Sequence, residues 1–258
     1  KGTYVGNDNE NYDKKNNIIG IIVEDLLSES SFCSGIVKGA ADFLIEDNFS
    51  YMLGNSENDY KKFKYYLKHC FKRKVSGLII MPLQLNHDYQ KNYNLINDIT
   101  NKDIPVVCVD RYLKGTDLDF VSLDNEKGGR EITEYLLELG HHNIGCIFEP
   151  YCSSLDERFM GYKLAHAEKS ISYQEDLIIW SDERLGEAGK KGVYSLVESE
   201  SDFSAIICSN DNVAIGAYNA LTEKGYRVPE DVSLVGFSNS PVAKMLPVSL
   251  TTYKQDPY

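Results

Sequence analysis

The sequence predicts an α/β protein built from two parallel, doubly wound sheets, each with helices on both faces. Three observations carry that prediction. Short uncharged apolar runs such as Ala205 to Cys208 recur without polar alternation, which is what strands covered on both faces require. Amphipathic segments separate these runs. After Ser209-Asn210-Asp211, the apolar positions Val213, Ala214, Ala217, Tyr218 and Leu221 follow at helical spacing until Gly225 stops them. The chain of 258 residues also exceeds the usual size of one core, so two units of ~100–150 residues each are expected.

Taken in order, Lys1 to Val5 is too short to interpret by itself. Gly6 to Asn17 is polar and aperiodic, so residues 1–17 read as a terminal scrap followed by a linker. Ile18 to Val23 is the first strand, and Glu24 to Ser31 the loop at its carboxyl end. Phe32 to Asp47 forms a helix with Ile36, Ala40 and Leu44 along one stripe and Val37 and Ala41 beside it. Tyr51 to Leu53 is a second strand, and Tyr60 to Lys72 a second helix burying Phe63, Leu67, Cys70 and Phe71. Leu78 to Met81 and Ile104 to Val109 complete a right-handed parallel subdomain over 18–112. A second subdomain of the same kind is expected over 113–247. It holds a helix Glu126 to Leu139 closed by Gly140, a strand Asn143 to Phe148 and a helix over Met160 to Glu168. The strand Leu177 to Trp180 and the run Ala205 to Cys208 follow, then a helix capped by Asp211 and a strand Ser233 to Gly236. Ligands of doubly wound sheets sit at the carboxyl ends of the strands, so Asn210 and the Phe237-Ser238-Asn239 turn are expected to face one site.

Composition excludes several classes. A net charge of −12, from 39 acidic against 27 basic residues, argues against this chain itself gripping nucleic acid or an anionic membrane surface. The six cysteines at 33, 70, 108, 146, 152 and 208 show no CxxC and no zinc-site spacing. Most lie in apolar runs, so they read as small buried hydrophobes rather than metal ligands or disulfide partners, a usage that fits a reducing cytoplasm. No signal peptide and no run of ~18 apolar residues is found, so no membrane segment is expected.

The segment SNDNVAIGAYNALTEKGYRVPEDVSLVGF followed by LTTYKQ resembles the effector-binding domain of the lactose/galactose repressor family, itself similar to periplasmic sugar-binding proteins such as the ribose receptor. The resemblance runs through IGIIVED, KVSGLIIMP, IPVVCVDRY, VSLDNEKGGREITEYLLELGHHNIGCIF and ERFMGYKLAH, in family order and spacing. It implies the type I periplasmic-binding-protein fold and a return crossover to the first subdomain over 248–258, with ~40–60 further residues in the family's pattern beyond Tyr258. KGTYV also resembles the last wing strand of a GntR-type winged helix, which commonly ends in G-x-G-T-[FY]-V. A winged helix joined to a sugar-sensing domain is similar to the arabinose-responsive repressors of Gram-positive bacteria.

The predicted loop ends collect Asp110, Arg111, Arg158, Asn210, Ser238 and Gln255. A sugar hydroxyl both donates and accepts, and carboxylate, guanidinium and amide groups meet it with planar, often paired hydrogen bonds. In the ribose receptor, the positions matching Asp110, Arg111, Arg158, Asn210 and Gln255 contact the sugar. Phe32 matches a family position whose ring stacks on the sugar's apolar face. The second stacking position falls on Arg184, a departure, with Trp180 near it in sequence. Ser238 departs too, since the family turn is usually G-[FY]-D and its Asp accepts from two hydroxyls; Asn239, Asp211 or Glu24 could replace that acceptor.

Enzyme chemistry finds little support. Glu24 and Asp25 are adjacent on a strand end and point opposite ways, and no G-x-S-x-G elbow, P-loop or GxGxxG after a strand is present. The resemblance therefore implies a cytoplasmic, non-enzymatic domain without cofactor or metal. It would bind a sugar effector, an arabinose-like pentose, pair as a homodimer, and reach DNA only through an N-terminal winged helix outside this chain. The sugar receptor of a transporter is the alternative that shares the fold.

Overall fold

A computed structural model describes residues 16–26, 31–84, 89–100 and 104–256. The wing-like scrap and nearly all of the predicted linker lie outside the described residues.

The first sheet contains β1 (Asn16–Val23), β2 (Ser50–Asn55), β3 (Val75–Ile80), β4 (Val106–Val109) and β5 (Asp119–Val121) in the order β2-β1-β3-β4-β5, every pairing parallel. Successive residues of β1 point to opposite faces, which divides the core into two layers. Ile21 and Val23 pack with Val37 and Leu44 of α1 (Ser31–Glu46). Ile22 packs with Phe63 and Leu67 of α2 (Tyr60–Lys72) and with Leu95 and Ile99 of α3 (Tyr89–Thr100). Asp59 starts α2 by accepting from the Lys62 N–H at 2.8 Å.

The second sheet contains β6 (Ile144–Phe148), β7 (Ile178–Trp180), β8 (Ala205–Cys208), β9 (Ser233–Ser238) and β10 (Thr251–Lys254) in the order β10-β9-β8-β6-β7, again all parallel. One face carries Cys146, Phe148, Ile207 and Phe237 against α4 (Asn125–Glu138) and α5 (Ser153–Glu168). The other carries Ile147, Ile206 and Leu234 against α6 (Leu185–Glu198) and α7 (Asp211–Glu223). Each helix pair crosses at glycine. A Cβ on Gly129 would sit 2.1 Å from the Arg158 carbonyl oxygen, and one on Gly161 2.0 Å from that of Glu126. Backbone-to-backbone approach of this kind excludes any side chain.

Three sequence expectations are corrected. The boundary at 112/113 falls too early, because β5 pairs with β4 and keeps residues 119–121 in the first sheet. The segment 248–258 does not return to the first sheet within the described residues; Thr251 to Lys254 pair in parallel with Val235 to Ser238 and extend the second sheet. Asp211 is not the cap of α7. Asn210, extended at φ −159° and ψ 176°, accepts from the Val213 N–H at 3.0 Å, while Asp211 is buried one residue later. Its carboxylate accepts from the Ser240 N–H at 2.6 Å and hydroxyl at 2.9 Å and from the Thr252 hydroxyl at 2.6 Å.

Candidate functional site

The carboxyl ends of β1 and β4 in one sheet and of β6, β8 and β9 in the other open onto one cleft of about 110 Å³. A water fills roughly 10–15 Å³ on this measure, so the space corresponds to about seven to eleven water-sized atoms. Phe32, Asp110, Arg111, Arg158, Asn210, Ser238 and Gln255 all line it.

Strand ends place these groups, and several do so through backbone that an L-residue rarely adopts. Asp110 follows β4 at φ 69°, Leu185 opens α6 at φ 54°, and Ser238 ends β9 at φ 114°. Each such residue costs ~1–3 kcal/mol and clusters of them mark functional positions.

From the first sheet, Arg111 is 6% exposed and held by two carboxylates. Its Nε donates to Asp110 Oδ2 at 3.0 Å, and its terminal nitrogen lies 2.8 Å from Glu24 Oε2 without hydrogen-bond alignment. Removing one partner of a buried pair leaves an uncompensated charge, so these three groups form one unit. From the second sheet, Arg158 has neutral partners. Its Nε donates to Asn125 Oδ1 at 3.0 Å and a terminal nitrogen to the Ser209 carbonyl at 2.7 Å, while the guanidinium lies 3.7 Å from the centre of the Phe237 ring. Burial lowers its pKa, the sign of a cation with incomplete charge compensation.

Glu149, immediately after β6, is buried and accepts from the Leu185 N–H at 2.7 Å and from the Asn210 side-chain amide. Desolvation raises its pKa above the ordinary carboxylate value. Asn210 is thereby used at both ends, its oxygen on α7 and its nitrogen on Glu149. Ser238 donates its hydroxyl to Gln255 Oε1 at 2.7 Å, and Gln255 Nε2 is buried on the cleft wall without a partner among the described residues. A buried amide donor of this kind costs ~1–3 kcal/mol until something accepts from it.

Arg184 bridges the two halves. Its guanidinium ion-pairs Glu24, and its Nε donates to Gln84 Oε1 at 3.1 Å; burial pushes its pKa down to about 10. Nearby, Lys114 reaches Asp156 at 2.9 Å, and the Tyr112 N–H donates to the Ser153 hydroxyl at 2.9 Å.

Residues 133–258 match the model of the periplasmic binding protein-like domain. The transcriptional regulator RegA of Clostridium saccharobutylicum is 30% identical over 242 residues, which span 93% of this chain and 70% of RegA. The transcriptional repressor PurR of Vibrio atlanticus is 29% identical over 92% of this chain and 69% of its own. Among solved structures, a sugar-binding transcriptional regulator of the LacI family from Escherichia coli, complexed with phosphate, superposes with a TM-score of 0.75 at 26% identity, covering 93% of this chain and 85% of that one. The chain belongs to the LacI family. It is the effector-binding, periplasmic-binding-protein-like domain of such a regulator, and its named LacI-family relatives are transcriptional regulators rather than enzymes.

For a LacI-family domain, the cleft holds two departures that sequence reasoning saw and two groups that it missed. Arg184, in place of an aromatic face, lies on the wall and clasps the opposite half. Trp180 does not line the cleft. Of the three groups considered as replacements for the missing acceptor at Ser238, Asp211 is committed to Ser240 and Thr252, and Glu24 to Arg111 and Arg184. Glu149 and Gln84 were missed. Glu149 carried a signal, since it is a carboxylate directly following an uncharged strand, where loop-end ligand groups belong.

Proposed function

We propose that this domain senses a small sugar for a bacterial transcriptional repressor and pairs as a homodimer, with DNA contacted through an N-terminal winged helix outside the chain. The carrying observation is the cleft itself, where Asp110 and Arg111 from one sheet meet Arg158, Asn210 and Gln255 from the other around space for about ten heavy atoms. That is the size of a pentose, and arabinose is the first candidate. The unpartnered Gln255 amide and the neutral-bonded Arg158 offer donors; Glu149 and Asp110 offer acceptors. A sugar gripping both halves stabilises closure, and only such differential affinity can shift the spacing of two DNA-binding heads. The dimer reading rests on the edge of the first sheet, where Tyr51 and Leu53 of β2 and Phe43 and Ile45 of α1 are exposed. The place of action is the cytoplasm.

Thermal-shift screening of pentoses, hexoses, uronic acids and sugar phosphates tests the reading. A pentose should raise the melting temperature of the chain, and Arg158→Ala should weaken its binding roughly ten- to a hundred-fold while the variant keeps its fold. If no sugar or sugar derivative moves the melting curve, the sugar-sensing reading is wrong.

A further inference from the structure

A second space lies outside the cleft. It measures about 330 Å³, three times the cleft, and is bounded by Tyr151, Asp156, Phe159, Lys163, Trp180 and Asp182, with Ser181. Trp180 ends β7, the edge strand of the second sheet, so its indole has α5 on one side and no further strand beyond it. Phe148, its neighbour in register, stacks on one face at 4.6 Å and 22°; Phe159 stands edge-on at 86° and Tyr151 is tilted at 43°. The tryptophan is nevertheless 37% exposed. A half-open indole beside carboxylates and an ammonium group offers an apolar face with hydrogen-bonding neighbours, the combination that a ring with one apolar side and polar edges can use.

The charges around the ring decide what it can take. A cationic ligand would need the aromatic faces, but Lys163 already lies 4.7 Å from the Phe159 ring centre and Lys114 5.1 Å from that of Tyr151. An anion would face the Asp182 carboxylate, while Asp156 beside it already holds Lys114 at 2.9 Å and the Tyr151 hydroxyl at 2.9 Å, so among the described residues no uncommitted cation but Lys163 is left to meet it. A neutral ring with an apolar face and a hydroxylated edge meets neither objection. Its C–H face lies on the indole while its hydroxyls accept from Lys163 and donate to the two carboxylates. The volume corresponds to roughly 22–33 water-sized atoms, enough for one or two hexose rings.

We infer that the Trp180 pocket is a second, weak binding site for an uncharged carbohydrate, separate from the effector cleft. Two features make the inference directly testable. Trp180 is the single tryptophan of the chain, so its emission reports on this pocket, and none of the six residues named above lines the cleft. Titration with methyl β-glucoside and with a β-linked disaccharide should change the emission saturably, with a dissociation constant of ~1–10 mM. The change should persist in Arg158→Ala, which disables the cleft, and should weaken at least tenfold in Asp182→Asn, at an exposed side chain, and in Lys163→Ala, at a half-buried one, with melting temperatures close to the parent's. Glucosamine and glucose 6-phosphate should bind more weakly than the neutral sugars. A flat titration with both neutral sugars, a signal that vanishes in Arg158→Ala, or tighter binding of either charged sugar would overturn the inference; the first and third leave sugar binding in the cleft untouched, and the second would assign the sugar to the cleft instead.

Discussion

His166 near the end of α5 shows how one residue can set an environmental limit on the whole domain. It is 1% exposed among the rings of Tyr162 and Tyr173, and among the described residues neither ring nitrogen has a well-aligned hydrogen-bond partner. Burial outweighs the opposing pull of the Ile171 backbone and, with a smaller push from His142, lowers its pKa below the ordinary 6.5. The unfolded chain therefore binds the proton first as pH falls. The group has no effect on stability well above pH 6.5, and stability is lost from about that value downward until the folded pKa is passed. His166→Phe removes the titration and leaves no unpaired nitrogen, so it should be nearly neutral at pH 7.5. Melting temperatures at pH 7.5 and 5.5 should fall less for the variant than for the parent; equal falls would assign the acid sensitivity to other groups. Position along the chain was legible for several residues that line the cleft. Asp110, Arg111, Arg158, Asn210, Ser238, Gln255 and Phe32 were named from the chain and share its wall. What stayed illegible was the partner of each. Asn210 and Asp211 are adjacent acids or amides at a helix start, and which one caps depends on where Ser240 and Thr252 arrive from elsewhere in the chain.

Elements were legible where apolar period was strong and obscure where it was not. The bounds of α2 and β8 match the pattern residue for residue, with Phe63, Leu67 and Cys70 spaced along one stripe. Sequence reading passed over α3, α6 and β5. The α3 segment YQKNYNLINDIT buries Leu95 and Ile99 in a mostly polar helix, α6 carries three glycines, and β5 is three exposed residues on a sheet edge. The glycines were misleading because they signal breaks in a chain read alone. In the folded domain they are contact points, with Gly189 of α6 crossing Val213 of α7 as Gly129 of α4 crosses Arg158 of α5. Gly129→Ala should force α4 and α5 apart at the turn that carries Arg158, costing ~1–3 kcal/mol. Calorimetry should show the lowered stability, and titration of the cognate sugar should show weaker binding than the lost stability alone explains. Unchanged sugar affinity in the folded variant would mean that Arg158 is positioned independently of the crossing.

At the scale of the molecule, each sheet owns a complete two-layer core, and the halves touch through polar side chains such as Arg184 with Glu24 and Lys114 with Asp156. Burial within each half contributes far more than those polar contacts, most of which are partly exposed. The two halves should therefore open as separate cooperative units, the first half at the lower free energy because three described helices cover its sheet where four cover the second. Native-state hydrogen exchange without sugar should resolve two classes of slowest amides, one per sheet. Saturating sugar should draw the weaker class up towards the stronger, because a ligand held by both halves adds its binding free energy only while both are folded. A single class under both conditions would show that the halves are already one unit. The Arg184–Glu24 clasp sets the baseline of that comparison. Because it ties residues of both halves, it adds to the free energy that favours closure, and a sugar held by both halves then has less of that free energy to supply. The cost is contrast: a contact that favours closure by itself narrows the range left to the effector, so Arg184→Ala should trade affinity for a wider swing between empty and filled states.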